Sequence, residues 1–141
     1  MMEFLQPYLY LVTPFIAWLI AGITKFITNS IRAKKLAFGL IGYGGMPSNH
    51  SAIVSSMVML VALQEGSAHP AFGVALTLAF IVLLDASSLR RQVGKHAEQI
   101  NLLSQSQTPL RERMGHSRIE ILAGVITGFA VAYILVLITS I

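Results

Sequence analysis

Long apolar runs, separated by short polar segments, form the dominant pattern of this chain. The runs cover 4–23, 51–63, 71–84 and 119–141. The first and the last have the roughly 20 residues that a helix needs to cross a bilayer. At ~1.5 Å per residue, the run 51–63 covers only about 20 Å. The pattern predicts an all-α fold: an integral membrane helical bundle of about four transmembrane helices, with short interfacial helices between them.

The polar segments predict how the runs are connected. Segment 24–43 begins basic and ends in a short apolar stretch, which is typical of an interfacial or re-entrant segment. Segment 64–70 is a polar turn. Segment 87–115 is the longest polar one, and we expect a helix over its first half and a further helical turn over 110–114.

Composition points to the membrane as the surrounding medium. Charged residues make up 11% of the chain and hydrophobic residues 55%, with a mean hydropathy of +0.70. A soluble domain has about 25% charged residues. The chain has no cysteine, which excludes disulfides and thiol chemistry. The first ten residues lack a basic n-region and a cleavage site, so we expect no removable signal peptide. No internal repeat appears, and we expect a single domain over 1–141.

The cations are confined to two segments, 25–35 and 90–118, which contain all ten Lys and Arg residues. With four crossings, both segments lie on one side of the membrane, and the positive-inside rule makes that side cytoplasmic. We therefore expect a multi-pass protein of the inner (plasma) membrane. The net charge of +4 favours anionic lipid head groups or phosphate substrates over nucleic acid. The large lipid-facing surface leaves room for a homodimer.

A glycine-rich loop, GGMPSNH at 44–50, leads directly into an apolar helix that is expected to start near Ser51. Glycines leave backbone N–H groups uncovered, and the first helical turn adds unpaired N–H groups and the positive end of a dipole. This combination suits an anion, above all phosphate. His50 at the same place can transfer protons near neutral pH. The alternative is an ordinary helix cap with Ser48 as the N-cap.

A second candidate site lies at the start of the last apolar run, where His116 and Glu120 are four residues apart. At this spacing the two residues share one face of a helix. The carboxylate can fix the imidazole tautomer and leave the other ring nitrogen free to attack as a nucleophile. The alternative is a local salt bridge. Because Lys25, Arg32 and the loop are expected at the same membrane face, the set favours phosphoryl transfer.

Together these motifs resemble the type-two phosphatidic acid phosphatase and vanadium haloperoxidase superfamily, in its short divergent branch of small membrane proteins. That superfamily carries Lys-x6-Arg-Pro, Pro-Ser-Gly-His and Ser-Arg-x5-His-x3-Asp. The resemblance covers roughly residues 25–124. The matching motifs, in the same order, are Lys25-x6-Arg32, Pro47-Ser48-Asn49-His50 and His116-x3-Glu120.

The resemblance implies a role for each matching residue. His116 would form the phosphohistidine, and Glu120 would orient it. His50 would be the general acid. Lys25 and Arg32 would bind phosphate oxygens. Further phosphate contacts would come from the loop residues Gly45, Ser48 and Asn49.

The chain departs from the superfamily pattern at several positions. Ala33, Asn49 and Glu120 replace proline, glycine and aspartate. The arginine expected six residues before the histidine is Leu110. Asp85, at the end of the third apolar run, needs a cationic partner because an unpaired carboxylate is costly in a membrane. The expected partners of Asp85 are Arg90 and Arg91, and the candidates for the missing guanidinium are Arg90, Arg91 and Arg111.

Three functional hypotheses follow. The resemblance implies a lipid phosphatase without metal or cofactor, acting on phosphatidate, phosphatidylglycerophosphate or a prenyl (di)phosphate. The departure at Leu110 leaves open a catalytically degenerate protein that binds anionic lipid or serves as a scaffold. The third hypothesis is a metalloenzyme or small transporter, in which local positive charge would repel the divalent cation. Its ligands would be His50, His116, Asp85 and Glu120.

Overall fold

A computed structural model of the chain describes residues 6–36, 38, 45–104 and 108–140. Regular structure within these ranges is helical. The elements in chain order are a 3₁₀ turn Gln6–Tyr8, α1 (Leu9–Ala33), α2 (Asn49–Gln64), α3 (Pro70–Leu84), a π-helical turn Asp85–Leu89, α4 (Arg90–Ser104) and α5 (Arg118–Thr139). The π-helical turn joins α3 and α4 into one continuous helical stretch.

Within the described ranges, three helical stretches are long and apolar enough to cross a membrane, namely Gln6–Ala33, Pro70–Ser104 and Arg118–Thr139. Large apolar side chains project from them, for example Phe15 at 65% exposure and Val74 at 70%. In water such a surface would aggregate, whereas lipid requires no polar cover. The prediction of an all-α integral membrane helical bundle is confirmed.

The short helix α2 lies at the centre of the bundle. Its 16 residues cover about 24 Å at ~1.5 Å per residue, less than the ~30 Å of a bilayer core. It packs against α5, α1 and α3. Most residues of its middle section are buried, and they lie on all sides of the helix, as expected when other helices enclose it. The bundle therefore consists of three long helical stretches around one short core helix.

Two glycines of α5 bring it against the backbone of α2. A Cβ added at Gly124 would contact the carbonyl oxygen of Ser48, and one added at Gly128 would contact that of Ala52. The nitrogen of Ser56 would lie 2.8 Å from the same added Cβ at Gly128. Backbone atoms cannot swing aside as a flexible side chain can. Such small-residue contacts are how helices associate in lipid, where no hydrophobic force drives them together.

The prediction that a separate interfacial or re-entrant segment begins at 24 is wrong for its first ten residues, because α1 continues unbroken to Ala33. Threonine hydroxyls at Thr24 and Thr28 bond back to helix carbonyls four residues earlier, so these polar residues fit a helix in lipid. The helix ends where Lys34 adopts a left-handed conformation, with φ of 51°. The remainder of the predicted segment, at 37 and 39–43, and Gly44 lie outside the described residues.

The predicted helical turn at 110–114 is also wrong, because this stretch is extended and lies along α4. The Asn101 side chain accepts from the Leu110 N–H at 2.7 Å and donates to its carbonyl oxygen at 2.8 Å. It also donates to Glu112 Oε1 at 2.9 Å. Since the amide of Asn101 satisfies both backbone groups of Leu110, the segment gains nothing by forming helical bonds of its own.

The two ends of the bundle differ in chemistry. At one end, the Tyr10 hydroxyl donates to Glu65 Oε1 at 2.6 Å and joins the start of α1 to the end of α2. The other end contains the start of α2, the start of α5 and the π-helical turn, and we call it the histidine end because His50 and His116 lie there. Up-and-down connection of the helices brings these three segments together.

Candidate active site

Two histidines, one in the first turn of α2 and one just before α5, are neighbours at the histidine end. The ring centroids of His50 and His116 are 6.5 Å apart, with their planes inclined by 57°. His50 is in the first turn of α2, whereas His116 lies just before α5. Two imidazoles at this separation can both contact one small tetrahedral anion. The structure therefore brings together the residues that the sequence placed in separate motifs.

The carboxylate of Glu120 contacts His116 and also forms part of the N-terminal cap of α5. Glu120 Oε2 lies 3.3 Å from His116 Nδ1 and accepts from the Ser117 N–H at 2.8 Å. The Ser117 hydroxyl oxygen in turn accepts from the Glu120 N–H at 3.2 Å, which completes a capping box. The sequence predicted that His116 and Glu120 share a helix face, but His116 precedes the N-cap and is not helical. The pairing leaves Nε2 of His116 for chemistry.

The surroundings of His116 favour the neutral form of its imidazole. Its side chain is 9% exposed. Burial lowers the pKa of His116 below the ordinary 6.5, the nearby charge of Lys25 lowers it further, and Glu120 opposes both effects. Neutral imidazole carries the lone pair that a nucleophile needs.

The loop before α2 is joined to α5 by its backbone. The Ser48 N–H donates to the Glu120 carbonyl oxygen at 2.9 Å. The Ser48 hydroxyl oxygen is the N-cap of α2, accepting from the Ser51 N–H at 3.4 Å and from the Ser51 hydroxyl at 2.9 Å. The buried hydroxyl of Ser48 therefore acts as an ordinary helix N-cap, which was the alternative interpretation of this loop. These bonds fix His50, two residues on, against the residues that hold His116.

Two further loop residues face α1. Gly45 has φ of 148°, and a Cβ added there would lie 3.1 Å from Oδ1 of Asn29. The Oδ1 of Asn49 is buried and has no hydrogen-bond partner among the described residues, and its Nδ2 would be 3.6 Å from a Cβ added at Gly22. Close approach of α1 to the loop therefore depends on small residues at these two contacts.

The predicted cations fall into two groups. Lys25 is partly buried and acts electrostatically on His50, His116 and Glu120. Arg90 acts on both histidines, and its Nε lies 2.8 Å from Asp85 Oδ2.

The other three predicted arginines are exposed. Arg32 lies seven residues beyond Lys25, about 10 Å further along α1. The side chain of Arg91 covers Gly115, since a Cβ added there would lie 2.8 Å from Arg91 Cγ. Arg111 Nε donates to the carbonyl oxygen of Arg113 at 3.2 Å. Among the described residues, no three His, Asp or Glu side chains are grouped so that they could hold a metal ion.

Comparison with known proteins identifies the family of this chain. A model of the family described as "Divergent PAP2 family" matches residues 8–131. The chain belongs to the divergent PAP2 family. It is also similar to "Uncharacterized membrane protein YuiD" of Bacillus subtilis (strain 168), with 32% identity over 139 residues, covering 84% of this chain and 88% of the relative. No solved structure matches the chain. The protein is therefore a PAP2-like membrane protein.

Several contacts in this divergent PAP2 protein were not expected from the sequence. Asn29 packs on Gly45, and Asn101 binds the segment that leads to His116. The His116 N–H donates to the carbonyl oxygen of Ala86, inside the π-helical turn, at 3.0 Å. A pair of serines after Asp85 was a usable signal for an irregular turn, because serine hydroxyls bond to preceding carbonyls. Neither asparagine stands in a recognisable motif.

Proposed function

We propose that this protein is an integral membrane phosphatase that hydrolyses a phosphate monoester of a lipid, or a prenyl diphosphate, through a phosphohistidine intermediate. The observation that carries the proposal is the pairing of His50 with a part-buried His116 whose Nδ1 lies 3.3 Å from Glu120 Oε2. Membership of the divergent PAP2 family supports the same reaction class. A membrane-embedded bundle supports a substrate that is itself in the bilayer.

The proposed first step transfers the phosphoryl group to the protein. Nε2 of His116 attacks phosphorus and forms a P–N bond while the P–O bond to the lipid breaks. Protonated His50 gives its proton to the leaving oxygen, which departs as an alcohol from a monoester and as a prenyl phosphate from a prenyl diphosphate. Lys25 stabilises charge on the phosphoryl oxygens in the transition state. The two negative charges of the substrate favour the protonated form of His50 among these cations.

The proposed second step regenerates the protein. Neutral His50 takes a proton from water, which attacks phosphorus as the P–N bond breaks. Inorganic phosphate leaves, and His116 is free again. Glu120 stabilises the positive charge that His116 carries while it is phosphorylated. The backbone N–H groups of Gly45 and Asn49 are proposed to support the phosphate, while Ser48 holds this loop through its bonds to Ser51 and Glu120. Arg32 is proposed to contact the outer side of the phosphate.

The test is phosphate release from a panel of lipid phosphates by purified protein in detergent. We expect His116→Ala to abolish turnover and the acid-labile phosphoprotein, and His50→Ala to abolish turnover. Exposed His96 on α4 supplies the matched control, His96→Ala, which should keep wild-type rates. Full activity of His116→Ala contradicts the proposed nucleophile. Lipid-phosphate binding by a wild-type protein that releases no product identifies the degenerate lipid-binding alternative.

We also propose that the histidine end faces the cytoplasm, with the protein in the plasma membrane. Because the natural chain has no cysteine, single cysteines report sidedness directly. Lys34→Cys should react with a membrane-impermeant maleimide only after the cells are opened. Gly66→Cys, at the opposite end, should react in intact cells. The reverse pattern contradicts the orientation, and cross-linking of either variant across a two-fold axis would support a homodimer.

A further inference from the structure

The π-helical turn changes which residue faces Asp85. In an α-helix, residues five apart point about 140° away from each other around the axis. In the π-helical turn the Arg90 N–H bonds to the carbonyl oxygen of Asp85, five residues earlier. This puts the two residues on one face, and Arg90 Nε lies 2.8 Å from Asp85 Oδ2. In a regular α-helix, Leu89 would occupy that place.

Two serines stabilise this turn. The hydroxyls of Ser87 and Ser88 donate to the carbonyl oxygen of Leu84 at 3.2 Å and 2.6 Å. A widened turn disturbs the regular ladder of helix hydrogen bonds, and in a membrane the carbonyls concerned need a protein donor. The sequence Asp-Ala-Ser-Ser-Leu-Arg thus contains both the irregular turn and the groups that satisfy it.

The same turn holds the nucleophile candidate. The His116 N–H donates to the carbonyl oxygen of Ala86 at 3.0 Å, and Ala86 is 1% exposed. Arg90 is also the charged group with the largest electrostatic effect on His50, and it acts on His116 as well. One short element therefore positions the backbone of His116 and places a guanidinium within electrostatic range of both histidines.

The other candidate positions for the missing guanidinium are less suited to binding phosphate beside the two histidines. Leu110, where the superfamily motif has its arginine, is held by Asn101, eleven residues and about 16 Å along α4 from Arg90. Arg111 follows it and directs its Nε to the backbone of the same segment. Arg91 covers Gly115 with its side chain.

We propose that Arg90, held by Asp85 through the π-helical turn, supplies the phosphate-binding guanidinium that the motif lacks at Leu110. The inference rests on the proposed function and names the third cation of that site. The Nε of Arg90 donates to Asp85, which leaves the two Nη groups of Arg90 to donate to phosphate oxygens. Arg90 is 38% exposed and Asp85 32%, so a ligand can reach the pair. Asp85 is a positioning residue, since it acts through Arg90.

The first experiment measures kcat and KM for phosphate release from a short-chain phosphatidate in detergent, and separately the binding of orthovanadate by calorimetry. We expect Arg90→Gln to lower kcat/KM on the order of 10²-fold and to weaken vanadate binding by about tenfold. Arg90→Lys keeps the charge and should retain part of the binding. Exposed Arg113 provides the matched control, and Arg113→Gln should stay within about twofold of wild type.

The second experiment tests the helical register. Exchange of two neighbours, Leu89→Arg with Arg90→Leu, keeps the composition but moves the guanidinium to the place that a regular α-helix would present. We expect this variant to be as defective as Arg90→Leu alone. Recovery of activity in the exchange overturns the π-helical positioning. Asp85→Asn should lower kcat/KM in the wild type but add little to Arg90→Gln, because both changes act on one interaction.

The outcomes separate this inference from the proposed function. The inference is wrong and the phosphatase stands if wild type releases phosphate but Arg90→Gln has the same kcat/KM as Arg113→Gln. The same conclusion follows if Arg91→Gln or Arg111→Gln lowers kcat/KM more than Arg90→Gln does. If wild type binds vanadate in an Arg90-dependent way without turnover, the phosphatase is wrong and the cation assignment stands. Absence of both turnover and vanadate binding overturns both.

Discussion

Replacement of Gly115 by alanine tests whether the segment before α5 sets the position of His116. Gly115 has φ of 83°, in the left-handed region that costs an L-residue about 1–2 kcal/mol. An added Cβ would lie 2.8 Å from Arg91 Cγ, 3.2 Å from Arg91 N and 3.3 Å from the carbonyl oxygen of Ala86. Two of these three atoms belong to the backbone of the helix, so the segment itself must move.

The two effects add to a measurable loss. Backbone strain of about 1–2 kcal/mol and overpacking of about 1–3 kcal/mol lower the free energy of unfolding of Gly115→Ala by about 2–5 kcal/mol. Because the His116 N–H donates to the Ala86 carbonyl beside this contact, the imidazole moves with the segment. A shift of about 1 Å lowers kcat/KM on the order of 10²-fold.

Gly66 provides the matched control at the opposite end of the bundle. Its φ is 87°, and a Cβ added there meets no atom within 4 Å. Gly66→Ala should therefore lose only the strain of about 1–2 kcal/mol and none of the activity. Unfolding in detergent, phosphate release and vanadate binding are measured for both variants. Equal stability and equal vanadate binding of Gly115→Ala and Gly66→Ala would refute the reasoning.

Three further predictions concern His116, Glu120 and the α2–α5 contact. Burial lowers the pKa of His116 below 6.5, so the rising limb of kcat/KM against pH should have its midpoint below 6.5, and kcat/KM should fall again at higher pH as the general acid His50 loses its proton. A rising limb with its midpoint above 6.5 contradicts a neutral nucleophile. Glu120→Gln removes the charge that we propose stabilises phosphorylated His116, and it should lower kcat by at least about tenfold with little change in KM. An unchanged kcat excludes the orienting role. Gly128→Ala should lower the free energy of unfolding in detergent by about 1–3 kcal/mol. The control is Gly73→Ala, where the added Cβ has no atom within 4 Å, and this change should stabilise α3 by up to about 1 kcal/mol. Equal effects of the two substitutions contradict the backbone contact at Gly128.

The membrane class and the approximate helices were predictable because they depend on local sequence. Apolar runs of spanning length produce lipid-facing helices wherever they occur. The prediction failed over 24–33 because the basic residues there suggested an interfacial segment, whereas threonine hydroxyls satisfy helix carbonyls and let α1 continue. The prediction of a helical turn over 110–114 failed because the side chain of Asn101, in α4, forms hydrogen bonds with the backbone N–H and carbonyl oxygen of Leu110.

The candidate site was predictable only in part. Motif order singled out His50, His116 and Glu120 as candidates, and the proximity of the two imidazole rings came only with the fold. The same motifs treated Arg90, Arg91 and Arg111 as equals. Their difference depends on a helical irregularity and on the path of a segment, and neither is visible in the spacing of charged residues.

The sequence by itself determined the chemical content of this protein: a membrane bundle, two histidines with a carboxylate, and an excess of cations at one end. Hydropathy and residue type act locally, so they can be read from the chain alone. Only the tertiary structure decided which groups meet. Close glycine contacts seat α5 on α2, and the π-helical turn selects Arg90 for Asp85 and binds the backbone of His116. Those choices depend on backbone geometry between distant segments, which fixes directions and distances that composition leaves open.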